Sequence, residues 1–101
     1  MQRSVFTIEL TKSAYCHLEA LKRSDRNRIL DSITAQLTHR PLEATRNKKF
    51  LRPNPLADWE LRVDSYRVFY DVNNREGIVR ILAIGKKEHN TLIIHGEEVT
   101  L

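Results

Sequence analysis

Apolar and polar residues alternate from Trp59 to Val63, break at Asp64-Ser65, and alternate again from Tyr66 to Val72. Period-two alternation predicts strands with one buried face, and a two-residue break between them predicts an antiparallel hairpin. In that register Val63 lies opposite Tyr66, and Arg62 lies opposite Arg67. Trp59, Leu61, Val63, Val68, Tyr70 and Val72 then share one face, with Trp59 in the core. Glu60, Arg62, Arg67, Phe69 and Asp71 share the other. Upstream, Ser4 to Leu10 alternates as a first strand with Phe6, Ile8 and Leu10 on one side. Thr11 is placed to cap a helix reaching about Lys22, with a stripe of Ala14, Leu18 and Leu21. Ser24 or Asp25 is placed to cap a second helix with a stripe of Ile29, Ile33 and Leu37, ended by the Arg40-Pro41 step.

Residues 41–57 hold Pro41, Pro53 and Pro55 and show no periodicity, so they predict a loop rich in Lys and Arg. Asn73 to Gly77 predicts a second turn, because Asn and Gly tolerate positive φ. Ile78 to Ile84 is almost continuously apolar, as expected of a strand covered on both faces. Gly85 is expected to end it, followed by a polar loop from Lys86 to Asn90. Thr91 to Leu101 reads as a short strand or an irregular tail. If Val72 pairs with Val79, Asp71 faces Arg80, and Arg80 joins the arginine face; a slip of one residue would bury Arg80. The predicted fold is α+β: two N-terminal helices on one face of a small, mainly antiparallel sheet, in the order β-α-α-β-β-β.

At 101 residues and 41% hydrophobic content, a single domain spanning residues 1–101 with a modest core is expected. Seventeen Lys and Arg stand against 13 acidic residues, a net charge of +4 that suits acidic or polyanionic partners. One cysteine, Cys16, excludes an intramolecular disulfide and fits a reducing compartment. Within a helix it reads as a small buried hydrophobe. The first ten residues lack an apolar secretion segment, and no run is long enough to span a bilayer, so a cytoplasmic protein without membrane partners is expected. His17, His39 and His95 are not spaced as metal ligands, and no glycine-rich phosphate loop is present, so neither metal nor cofactor is expected.

The hairpin also carries the candidate chemistry. Like charges directly opposed across a strand pair are destabilising. Arg62 facing Arg67 is therefore either neutralised by Glu60, Asp71 and water, or poised for an anion such as phosphate, whose geometry suits guanidinium. Lys48, Lys49, Arg52, Arg80 and Lys86 are further candidates for contact with a phosphate backbone. His89, in the basic loop, has the unperturbed pKa of a general base near neutrality, and Lys87 could serve if neighbouring cations lowered its pKa. Phe69, on the arginine face, could stack a base or lie buried under the C-terminal tail.

The order of elements, with Leu-Arg-Val-Asp-Ser-Tyr-Arg-Val-Phe-Tyr-Asp-Val from Leu61 and Val-Arg-Ile-Leu-Ala-Ile-Gly-Lys-Lys from Val79, resembles the RelE/ParE toxin superfamily of type II toxin–antitoxin modules. The resemblance covers nearly the whole chain and is densest from Trp59 to Asn90. It implies a toxin neutralised by a cognate antitoxin, acidic and encoded adjacently. RelE-like members are metal-independent endoribonucleases that cut mRNA in the ribosomal A site. ParE-like members share the fold and poison DNA gyrase. For the RelE-like branch, the arginine after the turn tyrosine, here Arg67, and the basic residue two positions after the glycine, here Lys87, are implied to be catalytic. The chain departs from that branch at Ile93, where a tyrosine is common, and at Asp58 and Glu60, near positions that carry lysines. The expected function is a ribosome-dependent mRNA endonuclease; the alternatives are a gyrase-binding toxin and a decayed toxin that keeps only antitoxin binding.

Overall fold

The structure is a computed structural model and describes residues 5–101. Its elements are β1 (Thr7–Leu10), α1 (Lys12–Glu19), α2 (Arg23–Leu37), β2 (Lys48–Phe50), β3 (Trp59–Val63), β4 (Tyr66–Asn73), β5 (Ile78–Glu88), β6 (Thr91–Ile94) and β7 (Glu97–Val99). They build one seven-stranded sheet in the order β2-β3-β4-β5-β6-β7, with β1 parallel to the first half of β5. Both helices bury their apolar stripes on one sheet face, the α+β arrangement expected. Ser4, the predicted start of the first strand, lies outside the described residues.

Thr11 has extended backbone, and its Oγ1 accepts from the Ala14 N–H at 3.1 Å, which starts α1 as predicted. The helix stops at Glu19, short of Lys22. Lys22, rather than Ser24 or Asp25, holds the N-cap position of α2 and makes no side-chain cap bond. Asp25 sits inside the first turn, where its carboxylate accepts from the Tyr66 hydroxyl at 2.9 Å. α2 ends at Leu37, before the Arg40-Pro41 step. Cys16 is exposed on α1, so its expected burial is corrected: it falls off the Ala14–Leu18 stripe.

The main core joins Ala14, Leu18, Ile29, Ile33 and Leu37 from the helices to Trp59, Leu61, Val63, Val68 and Tyr70. The hairpin register is the predicted one, with Val63 opposite Tyr66 and Arg62 opposite Arg67. Trp59 stacks on Tyr70 with ring centroids 6.0 Å apart. The Tyr70 hydroxyl donates to the Pro41 carbonyl at 2.8 Å, which satisfies a buried polar atom.

The sheet holds more strands than expected. β2 is three residues long and pairs with β3 inside the segment read as loop, too short to show a period. β6 and β7 form a hairpin from the segment read as a short strand or an irregular tail, so one strand there was anticipated and the second was not. The His89-Asn90 and His95-Gly96 turns have both residues at positive φ, 50° and 71° in the first, 52° and 79° in the second. That backbone suits tight two-residue hairpins. β5 also runs on through Gly85 to Glu88 instead of ending there. A Cβ at Gly85 would lie 2.8 Å from Ile94 Cγ1 and 2.9 Å from the Ile93 carbonyl, so glycine is required where β6 crosses closely.

A register shift between Phe69 and Tyr70 has the larger consequence. Asp71 pairs with Arg80 and Val72 with Val79, as expected, but Phe69 pairs with Ala83 and Tyr70 with Ile81. Leu82 is the extra residue. Strict alternation from Val79 would place Gly85 opposite Tyr66, Lys86 on the arginine face and Lys87 on the helix face. The bulge exchanges the two lysines: Lys86 now pairs with Tyr66, and Lys87 joins Arg67 on the other side. On that side Phe69, Ala57, Ala83 and Leu92 form a second, smaller core with Leu82 and Val99 packed against it. Phe69 is fully buried, so it cannot stack a base.

Candidate functional site

Beside this second core, on the face away from the helices, lies a groove of about 650 Å³. Its floor carries Glu60 and Arg62 from β3, Arg67 from β4 and Lys87 from β5. Lys49 and Arg52 bound one side, and Thr91, Leu92, Glu98 and Val99 of the β6–β7 hairpin bound the other. Strand parity explains the grouping: Lys49 pairs with Glu60 and Arg62 with Arg67, so all four project to one face.

Arg67 is the most constrained member. Its side chain is 11% exposed, and its Nη1 donates to the carbonyls of Asp64 at 2.9 Å and Tyr66 at 2.8 Å. Its Nε stands 4.0 Å from Glu60 Oε1. Burial lowers its pKa, Glu60 pushes it back up, and Arg62 pulls it down; a guanidinium remains charged throughout. The hairpin turn thus orients one edge of the fork and leaves other N–H donors for a ligand. Arg62, directly opposite, is exposed. The Lys87 backbone N–H donates to the Ser65 carbonyl at 2.7 Å, tying β5 to the same turn. Asn54 shapes the loop beside Arg52: its amide donates to the Arg52 and Ala57 carbonyls, and its Oδ1 accepts from the N–H groups of Leu56 and Ala57.

Of the predicted residues, Arg67, Lys87, Arg62, Lys49 and Arg52 therefore share the groove. The other four do not. Lys48 is 4% exposed and points to the helices, where its Nζ donates to the carbonyls of Arg40 at 2.7 Å and Gln36 at 3.1 Å. Burial lowers its pKa, with Glu43 opposing and Arg40 reinforcing that shift. Lys86 lies on the helix side with its ammonium 5.7 Å from the Tyr66 ring centroid. His89 is exposed in the β5–β6 turn and does not line the groove. Arg80 sits toward the other end of β5, paired with Glu9 at 3.4 Å and across from Asp71.

Sequence reasoning gave Glu60 a neutralising role and marked it as a departure from the RelE-like branch, but did not assign it to the site beside Arg67. The hairpin register already held the signal for Glu60, since it is the diagonal neighbour of Arg67. The assembled groups can bind an anionic oxygen from two guanidinium groups, accept a proton at a carboxylate and donate one from an ammonium.

Residues 8–91 match the family model described as the ParE toxin of the type II toxin–antitoxin system, parDE. The fold is similar to that of a chain in the RelBE2 toxin–antitoxin complex from Mycobacterium tuberculosis, with a TM-score of 0.69, 24% identity, and coverage of 79% of this chain and 95% of that one. It is also similar to a chain of the archaeal RelE–RelB complex from Pyrococcus horikoshii, with a TM-score of 0.64, 20% identity, and coverage of 84% and 98%. No curated protein matches the sequence. With the family model spanning most of the chain, and the two-helix, mainly antiparallel fold shared with both structures, the protein belongs to the ParE toxin family of type II toxin–antitoxin systems, within the RelE/ParE superfamily.

Proposed function

We propose that this toxin cleaves mRNA on the ribosome, using the groove between β2 and the β6–β7 hairpin, and that a cognate antitoxin covers the same face. The supporting observation is the convergence of Arg62, Arg67 and Lys87 beside Glu60, with Lys87 delivered by the bulge at Leu82. In this reading Arg62 and the free edge of Arg67 hold the scissile phosphate. Glu60 takes the 2′-hydroxyl proton as the 2′ oxygen attacks phosphorus. The bond from phosphorus to the 5′ oxygen breaks, and Lys87 protonates that oxygen. The products are a 2′,3′-cyclic phosphate and a 5′-hydroxyl end. Glu60 replaces His89 as the proposed base because it lines the groove and His89 does not. Both structural relatives are described as toxin–antitoxin or RelE–RelB complexes, which supports a cognate antitoxin as the partner; we take it to be adjacently encoded and acidic, to match the net charge of +4.

The test is a reconstituted translation reaction with purified protein and one defined mRNA. Wild-type protein is expected to cut within the A-site codon and leave a 5′-hydroxyl, and Arg67→Ala and Lys87→Ala to reduce cutting at least a hundredfold, as loss of a charge-stabilising donor does. An uncut message with correctly folded wild-type protein would defeat the proposal. The ParE description of the matching family favours a second reading, binding to DNA gyrase; it predicts lost supercoiling activity with the message intact.

A further inference from the structure

On the helix face, the edge of β5 has a gap. β1 pairs with β5 only as far as Ile81, and β6 begins pairing at Lys86. α1 fills the interval with its own groups. The Thr11 N–H donates to the Ile81 carbonyl at 3.0 Å, and Thr11 Oγ1 donates to the Leu82 carbonyl at 3.2 Å. The Ile84 N–H donates to His17 Nδ1 at 3.1 Å. An imidazole thus stands where a strand carbonyl would otherwise accept.

His17 also reaches the far hairpin. Its ring centroid lies 5.5 Å from that of His95, in the tight β6–β7 turn. Both rings line a cavity of about 190 Å³ between α1, β5 and that turn. Accepting at Nδ1 requires the neutral tautomer with its proton on Nε2. With the Nδ1 lone pair engaged by Ile84 and the proton on Nε2, neither ring nitrogen offers a free lone pair to a metal ion.

We propose that His17 is a pH-operated latch. Neutral, it caps the Ile84 N–H and holds α1 against the β6–β7 turn; protonated, it turns a donor toward that N–H, repels His95 and loosens the hairpin that walls the groove. The groups facing it from the packed elements are His95 on the turn, Lys86 and Glu88 on β5, and Tyr66 on β4. Tyr66 stays neutral, its pKa raised by burial and by its bond to Asp25. Burial first, and His95 second, hold His17 below the usual histidine value of 6.5. The sign follows: the folded chain resists a proton that the unfolded chain accepts, so the latch is fully closed above pH 6.5 and its stabilisation is lost as pH falls through the lower folded value. None of this depends on the chemistry of the groove.

The test is a pH titration of the full chain by two-dimensional NMR, following the Ile84 amide, the His17 ring nitrogens, and amide exchange from Thr91 to Val99. A shared midpoint below 6.5 is expected, with hairpin amides less protected on the acid side once their rates are divided by the intrinsic exchange rate at each pH. His17→Gln keeps an acceptor that does not titrate, so the Ile84 response should flatten. His95→Asn tolerates the left-handed backbone of the turn and removes the neighbouring charge, so the midpoint should rise. An Ile84 amide that ignores His17 titration, an unchanged curve in His17→Gln, an unmoved midpoint in His95→Asn, or hairpin protection factors independent of pH would each overturn the latch.

Discussion

The two faces of β3 and β4 are made from alternating residues of the same strands, yet they do different work. On the helix face Leu61, Val68 and Tyr70 are completely buried, with Trp59 packed against Tyr70. On the other face Phe69 anchors a core of four buried residues, and charged residues, Glu60, Arg62, Arg67 and Asp71, take neighbouring strand positions. The chain fixes its fold from one side, which frees the other to hold like charges in register. Stability and activity should therefore respond differently to substitutions on the two sides.

The largest stability loss is expected on the helix face. Leu61→Ala should cost about 2–5 kcal/mol in urea unfolding. Leu92→Ala, in the smaller cluster, should cost less; equal losses would remove the distinction between the faces. Tyr70→Phe leaves the Pro41 carbonyl without its donor and should cost about 1–3 kcal/mol by the same measurement. Arg67→Ala should reverse the ranking: the proposed RNA cleavage should fall at least a hundredfold, while the loss of its two carbonyl hydrogen bonds should cost about 1–3 kcal/mol, below Leu61→Ala. Arg62→Ala sharpens the contrast most. Removing one of two opposed like charges should raise stability by a few tenths of a kcal/mol while weakening RNA binding and flattening its salt dependence. The exposed Arg28–Asp64 pair, at 2.9 Å, marks the small end: Arg28→Ala should change the unfolding free energy by less than about 1 kcal/mol.

Much of this arrangement was legible from alternation. The β3–β4 register, the burial of Trp59, the Asp71–Arg80 pairing and the helix stripes all follow from period-two and helical spacing in segments long enough to show it. What was not legible has physical causes. β2 has three residues and lies between prolines, so it carries no visible period. That hid the inward turn of Lys48, whose pairing with Leu61 puts it on the helix face. The bulge at Leu82 inverts parity along the rest of β5, and a continuously apolar run conceals such an inversion, so Lys86 and Lys87 could not be assigned to faces by counting. Gly85 looked like a terminator because its reason for being glycine, the close approach of β6, is a tertiary contact. His17 looked like an unplaced histidine because its partner is a backbone N–H 67 residues away.

The central claim is that the charged face cuts RNA. Mapping 5′ ends across cellular mRNA after brief induction of the chain tests it most directly. The account predicts new 5′-hydroxyl ends inside translated codons, absent with Arg67→Ala at equal expression. Growth arrest with intact messages and damaged DNA, or identical ends with Arg67→Ala, would contradict it.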